Sequence, residues 1–222
     1  MTITAARLLP ALALLGLFAC TESDKDDDDD DDDDDVSDTG PSSDDDDDGA
    51  DELYGPENGW FHALAADVPA DLAGTGWYTG DTAYNFTLSD QYGDEVELYQ
   101  FYGQLVVLDV FAVWCGPYQD LAPEGEEVWE ALEDRGMVYL AVTQEDANGN
   151  DPTSETAASW GDDFGLTHPI LADADQSQGE YVVIGGGFPT FPVFGPDMTI
   201  LTNDLFPPTL EDVSALMDEH GL

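Results

Sequence analysis

Positive charge is almost missing from this chain: against 51 Asp and Glu it carries three Lys or Arg. From Tyr54 to Leu222 there is no lysine, and Arg135 is the one base, so that stretch has a formal charge of −30. Such a field repels phosphate backbones and anionic headgroups, which excludes nucleic-acid binding. Histidine is scarce as well. His62, His168 and His220 stand far apart without metal-ligand spacing, and neither a metal nor a cofactor is expected. Gly185-Gly186-Gly187 lacks the Lys-Ser/Thr of a phosphate loop and reads as a flexible approach to Pro189. Cysteine is limited to Cys20 and Cys115, in unlike settings; a bridge between them is possible on paper. What the chain does have is 42% hydrophobic and 11% aromatic content, enough to build a core.

The N-terminus reads as an export signal. A short segment with Arg7 precedes the apolar run Leu8 to Ala19. Twelve residues rise about 18 Å as a helix, too little for a hydrocarbon core of ~30 Å. Residues 1–19 are therefore set aside as a signal peptide. Their end, Leu17-Phe18-Ala19-Cys20, resembles the bacterial lipobox, in which a small residue precedes a cysteine that is diacylated and becomes the new N-terminus. That resemblance explains Cys20 better than a bridge does. It implies firm membrane anchoring, and Thr21 favours the periplasmic side of the outer membrane.

Residues 20–53 form an Asp-rich spacer with an unbroken run Asp26 to Asp35 and a second run Asp44 to Asp48. With almost no apolar residues it cannot form a core, and self-repulsion extends it. At ~3.3 Å per residue it reaches at most roughly 100 Å. An aspartate homopolymer lacks the staggered ligands and turn glycine of a calcium loop, so a solvated spacer is the preferred reading.

Residues 54–222 read as one α/β domain. Tyr84 to Leu88 and Val96 to Leu98 suggest a hairpin across Gly93-Asp94. Leu105 to Ala112 and Met137 to Thr143 are nearly continuous apolar runs, as in strands buried on both faces. Gly116 to Arg135 is expected to be one helix closed by Gly136, and Ser154 to Phe164 and Asp175 to Tyr181 two more. Phe191 to Phe194 and Met198 to Leu201 suggest a second hairpin, followed by a helix capped by Thr209 and running to about His220. The alternation describes a mixed sheet flanked by helices, with an added N-terminal hairpin.

Between the first buried strand and its helix lies Trp114-Cys115-Gly116-Pro117-Tyr118. Asp109 stands six residues before the cysteine, Pro123 eight after it, and Phe188-Pro189-Thr190 far downstream. This set resembles the thioredoxin-like superfamily, whose members carry Trp-Cys-Gly-Pro-Cys at that junction and a proline, here matched by Pro123, that kinks the active-site helix. Asn85-Phe86-Thr87-Leu88, Gly93 and His168-Pro169-Ile170-Leu171-Ala172-Asp173 are similar to the redoxin branch. That branch contains extracytoplasmic thiol–disulfide reductases and relatives of the thiol-specific antioxidant enzymes. The resemblance implies a thioredoxin-like fold with Cys115 as nucleophile, Asp109 as the buried proton-transfer acid and Pro189 as a cis-proline contacting the substrate backbone. Trp114 would shield the sulfur.

Where the family has its second cysteine, this chain has Tyr118. A dithiol cycle needs a resolving thiol to expel the first from its mixed disulfide. Without one in the domain, the expected chemistry is exchange through mixed disulfides with exported protein thiols, disulfides or small thiols, completed by an external reductant in support of envelope redox homeostasis. Asp109 and the missing lysine should make the thiol less acidic than in a dithiol relative, against the pull of the helix dipole. The Pro-x-x-x-Thr-x-x-Cys pattern of peroxide-reducing relatives is absent before Cys115. The alternative is a binding module for exported proteins that has kept the fold and lost turnover.

Overall fold

The computed structural model describes residues 58–64 and 67–222. Cys20, the signal peptide and the Asp-rich spacer lie outside these. Seven strands and five α-helices follow one another: β1 Thr87–Asp90, β2 Glu95–Glu97, β3 Leu105–Ala112, α1 Gly116–Gln119, α2 Ala122–Leu132, β4 Met137–Glu145, α3 Ser154–Phe164, β5 Ile170–Ala172, α4 Gly179–Gly185, β6 Val193–Phe194, β7 Ile200–Thr202 and α5 Leu210–His220. They make one sheet in the order β2-β1-β5-β4-β3-β6-β7. β3, β4 and β5 run parallel, and the flanking strands are antiparallel. This is a thioredoxin-like fold with a mixed central sheet, and β1–β2 is the added hairpin.

The centre of the sheet follows from its sequence. Every residue of Leu105-Val-Val-Leu-Asp-Val-Phe-Ala112 is buried, because β3 is paired on both edges and covered on both faces. Side chains alternate between faces. Leu105 and Val107 join Tyr139, Val128 and Leu132 of α2, and Val213 and Met217 of α5. Val106, Leu108 and Val110 join the cluster that contains Ala157 and Trp160 of α3. By the same alternation Asp109 shares the face of Leu105 and Val107.

Several boundaries differ from the sequence reading. The long helix expected over Gly116 to Arg135 is broken: α1 ends at Gln119, α2 starts at Ala122 with Pro123 in its first turn, and Glu133–Arg135 tightens to a 3-10 turn. Pro123 has no N–H to continue a ladder and belongs in a first turn. Gly136 closes the segment in the left-handed region at φ 95°. The helix expected from Asp175 begins only at Gly179, because Asp173 collects the backbone amides of Ser177 and Gln178 in a turn before it. Strand β5, absent from the sequence reading, pairs with β4 and β1. Leu98, expected in the hairpin, opens a 3-10 turn instead. Helices α3 and α5 are capped by Thr153 and Thr209.

Candidate active site

Cys115 lies three residues beyond β3, with its amide donating to Ala112 O at 3.0 Å, and it is the N-cap of α1. It is fully buried and disulfide-bonded. The chain's other cysteine, Cys20, lies outside the described residues. The sequence suggested a thiol poised on a long helix. The structure instead shows a buried disulfide sulfur at the start of a four-residue helix, where fewer aligned peptide dipoles act on it.

The segment facing the sulfur is Phe188-Pro189. Cys115 Sγ is 3.7 Å from the carbonyl oxygen of Phe188, and the Phe188–Pro189 peptide is cis. Thr190 and Val110 exchange both backbone hydrogen bonds at 3.0 Å, which aligns the proline loop with β3. Phe191 donates its amide to Asp204 Oδ1 at 3.0 Å and accepts from the Leu205 amide at 2.8 Å. Gly185, the first glycine before the loop, is a packing position. A Cβ on Gly185 would collide with the Thr190 side chain, so only glycine allows α4 this close. Trp114 packs edge-on against Phe188, ring centroids 6.1 Å apart, and its indole N–H donates to the Glu145 carboxylate. Gly116 and Pro117 form the first turn of α1.

Tied to the Cys115 turn through Tyr118, whose amide donates to Cys115 O at 3.0 Å, lies a buried acid with no cation beside it among the described residues. Asp109 is fully buried; Oδ2 accepts from the hydroxyls of Tyr118 and, at 3.1 Å, Tyr139, while Oδ1 has no hydrogen-bond partner. Burial pushes its carboxyl up to about 7, and the two hydroxyls pull only partly against that. Burial and the neighbouring carboxyl raise both tyrosines well above the usual phenol range, so both remain donors. Tyr118 fills the space with its ring as well as its hydroxyl. It stacks on Trp160 at 5.5 Å and leans on Phe111 at 4.6 Å.

Tyr139 escaped the sequence reading. It sits on β4 on the same face as Ala141, the register partner of Asp109, and its signal in the sequence was a hydroxyl inside the otherwise apolar run Met137 to Val142. Gly125 of α2 makes room for it: a Cβ there would lie 2.7 Å from Tyr139 Cζ. The other ring neighbour is His168, centroids 5.0 Å apart. Burial holds His168 down to about 4, so it is neutral, with Nδ1 3.3 Å from Pro169 O and Nε2 3.9 Å from Glu126. Among the described residues no group of three or more His, Cys, Asp or Glu is placed to hold a metal ion.

The sulfur at a strand–helix junction, with a cis-proline against it, is carried on a thioredoxin-like fold. The AhpC/TSA family model matches residues 79–202, more than half of the sequence, and the chain belongs to that family. It is 34% identical over 112 residues to the thiol-disulfide oxidoreductase ResA of Geobacillus thermodenitrificans, covering 50% of this chain and 60% of that one. It is 27% identical over 111 residues to the thioredoxin-like protein YneN of Bacillus subtilis, covering 50% and 62%. The chain thus spans about half to three-fifths of the curated relatives it matches. Among solved structures, the thioredoxin domain of a Bacteroides vulgatus thiol-disulfide oxidoreductase superposes with a TM-score of 0.52 at 19% identity, covering 65% of this chain and 98% of that one.

Proposed function

We propose that this protein is a thiol–disulfide exchange protein of the cell envelope, held to a membrane by lipid on Cys20, with Cys115 as the domain's single exchanging sulfur. The observation that carries this reading is the placement of Cys115 Sγ 3.7 Å from Phe188 O, directly before cis-Pro189. The naming of relatives as thiol-disulfide oxidoreductases agrees with it. In this reading residues 1–19 are removed, 20–53 are a spacer and 54–222 are the working domain, on the periplasmic side of the outer membrane. A lipid thioether consumes the Cys20 sulfur, which leaves Cys115 to exchange with the sulfur of another molecule. That partner is an exported protein or a small thiol, and an outside reductant releases it.

The test is mass spectrometry of native protein extracted without reductant, beside Cys115→Ser. The expected result is a reducible adduct on Cys115 and a diacylglyceryl mass on Cys20. An intramolecular Cys20–Cys115 bridge in the native protein would refute the anchor. Absence of any adduct would turn the reading to a second one, a binding module without turnover. The full burial of Cys115 and the Tyr118 ring at the resolving position favour that alternative.

A further inference from the structure

We propose that Tyr118 is a positioning residue: standing in the place of a second cysteine, its hydroxyl holds Asp109 through Oδ2 and leaves Oδ1 uncommitted, so that the acid serves the single sulfur Cys115 as a buried proton carrier. This rests on the reading of Cys115 as the exchanging sulfur. In a dithiol site the buried acid has a resolving thiol to act on; here that position is itself a hydrogen-bond donor to the acid.

The geometry supports a held carboxyl rather than a merely buried one. Two hydroxyls from different elements, Tyr118 on α1 and Tyr139 on β4, converge on the same oxygen. The second oxygen is fully enclosed and has no partner. Burial strongly penalises a carboxylate left in that state, whereas a carboxylic acid with its proton on Oδ1 is tolerated. No cation relieves it among the described residues. Arg135 is bound to Asp218, Ser214 and Leu222 O, and the neutral His168 touches only the Tyr139 ring side of the network. The other charged group bearing on it is Glu124 of α2, which acts on Tyr139 and is an acid.

The exchange step then balances. An external thiol loses its proton and its thiolate attacks the sulfur joined to Cys115. The S–S bond breaks, Cys115 leaves with the electron pair, and Asp109 supplies the proton that makes it a thiol. The proton released by the attacking thiol restores the carboxyl. The external thiol is oxidised and Cys115 is reduced.

The test uses the full chain and Tyr118→Phe, which removes the hydroxyl and keeps the stacked ring. Two profiles are recorded between pH 5 and 9: reduction of a Cys115 mixed disulfide by dithiothreitol, corrected for the reagent's thiolate fraction, and the Asp109 carboxyl carbon by NMR. Because the hydroxyl favours the ionised acid, its loss should move both midpoints upward by about one pH unit. Tyr139→Phe should move them the same way, and Asp109→Asn should abolish the rate inflection. If Tyr118→Phe lowers thermal stability but leaves both midpoints in place, Tyr118 is only a packing residue and the proposal fails. If the native protein does not exchange at any pH, the functional reading falls. The carboxyl titration then decides alone whether Tyr118 holds the acid.

Discussion

The Tyr118 hydroxyl donates to Oδ2 of Asp109, so the residue standing where the resembled motif has its second cysteine is bonded to the buried acid. The substitution therefore leaves the interior of the site filled and hydrogen-bonded, and what it removes is the resolving sulfur.

Asp109→Asn should stabilise the protein above neutrality. The folded carboxyl, at about 7, lies well above an ordinary aspartic acid at ~3.9. The folded state holds this proton more tightly, so the group's contribution is complete below about pH 4 and is lost as pH rises through about 7. About three pH units correspond to a loss on the order of 4 kcal/mol. Urea unfolding should show the variant gaining on wild type across that window and levelling off above it. A constant difference from about pH 4 to about pH 8 would mean that Asp109 ionises as in water.

His168 has the opposite slope. Its folded pKa, about 4, lies below the ordinary ~6.5, so its contribution is present above about pH 6.5 and lost as pH falls toward 4. The size is on the order of 3 kcal/mol. Between about pH 4 and about pH 6.5 the two buried groups nearly cancel. His168→Phe should expose the falling slope of Asp109, and Asp109→Asn the rising slope of His168. Parallel stability curves for wild type and His168→Phe would show that the histidine is not held neutral.

Gly125→Ala should damage the site from behind. The new methyl would sit 2.7 Å from Tyr139 Cζ, so the ring must move off Asp109. Overpacking of this kind costs about 1–3 kcal/mol. The lost Tyr139 hydrogen bond should also raise the Asp109 titration midpoint. A variant with wild-type stability and an unmoved midpoint would show that α2 yields without disturbing Tyr139.

Tyr118→Cys restores the family's cysteine pair but removes a ring packed on Trp160 and Phe111. A cavity cost of about 3 kcal/mol is expected. The introduced thiol should form a disulfide with Cys115 and confer insulin-type disulfide reductase activity that wild type lacks. A folded Tyr118→Cys protein with no such activity would show that more than the resolving thiol is missing.

The sequence exposed those parts that depend on local pattern. β3 and α3 have the expected bounds, since a nearly continuous apolar run bounded by turns and a Thr cap with a Gly stop are local signals. Pro189 and Asp109 were singled out through the resemblance to the family motif. Tyr139, Gly125 and Glu145 were missed because each acquires its role by register across the sheet or by close approach of α2, and neither is written in neighbouring residues. The resemblance implied a kink at Pro123 but not a full break after Gln119, because Gly116 to Arg135 has continuous helical spacing and Pro123 alone does not say where a first turn begins. β5 was missed because three residues are too few to show a period.

Arg135 donates to Ser214, Asp218 and Leu222 O, so the one base of the domain staples its C-terminal helix to the end of α2. For trypsin this leaves, from Tyr54 onward, a single bond to cut, Arg135–Gly136, with its recognition side chain already occupied. Digestion there must wait for α5 to undock. The rate of that one cleavage becomes a clock for the opening of the C-terminal helix, with no competing site in the domain to blur it.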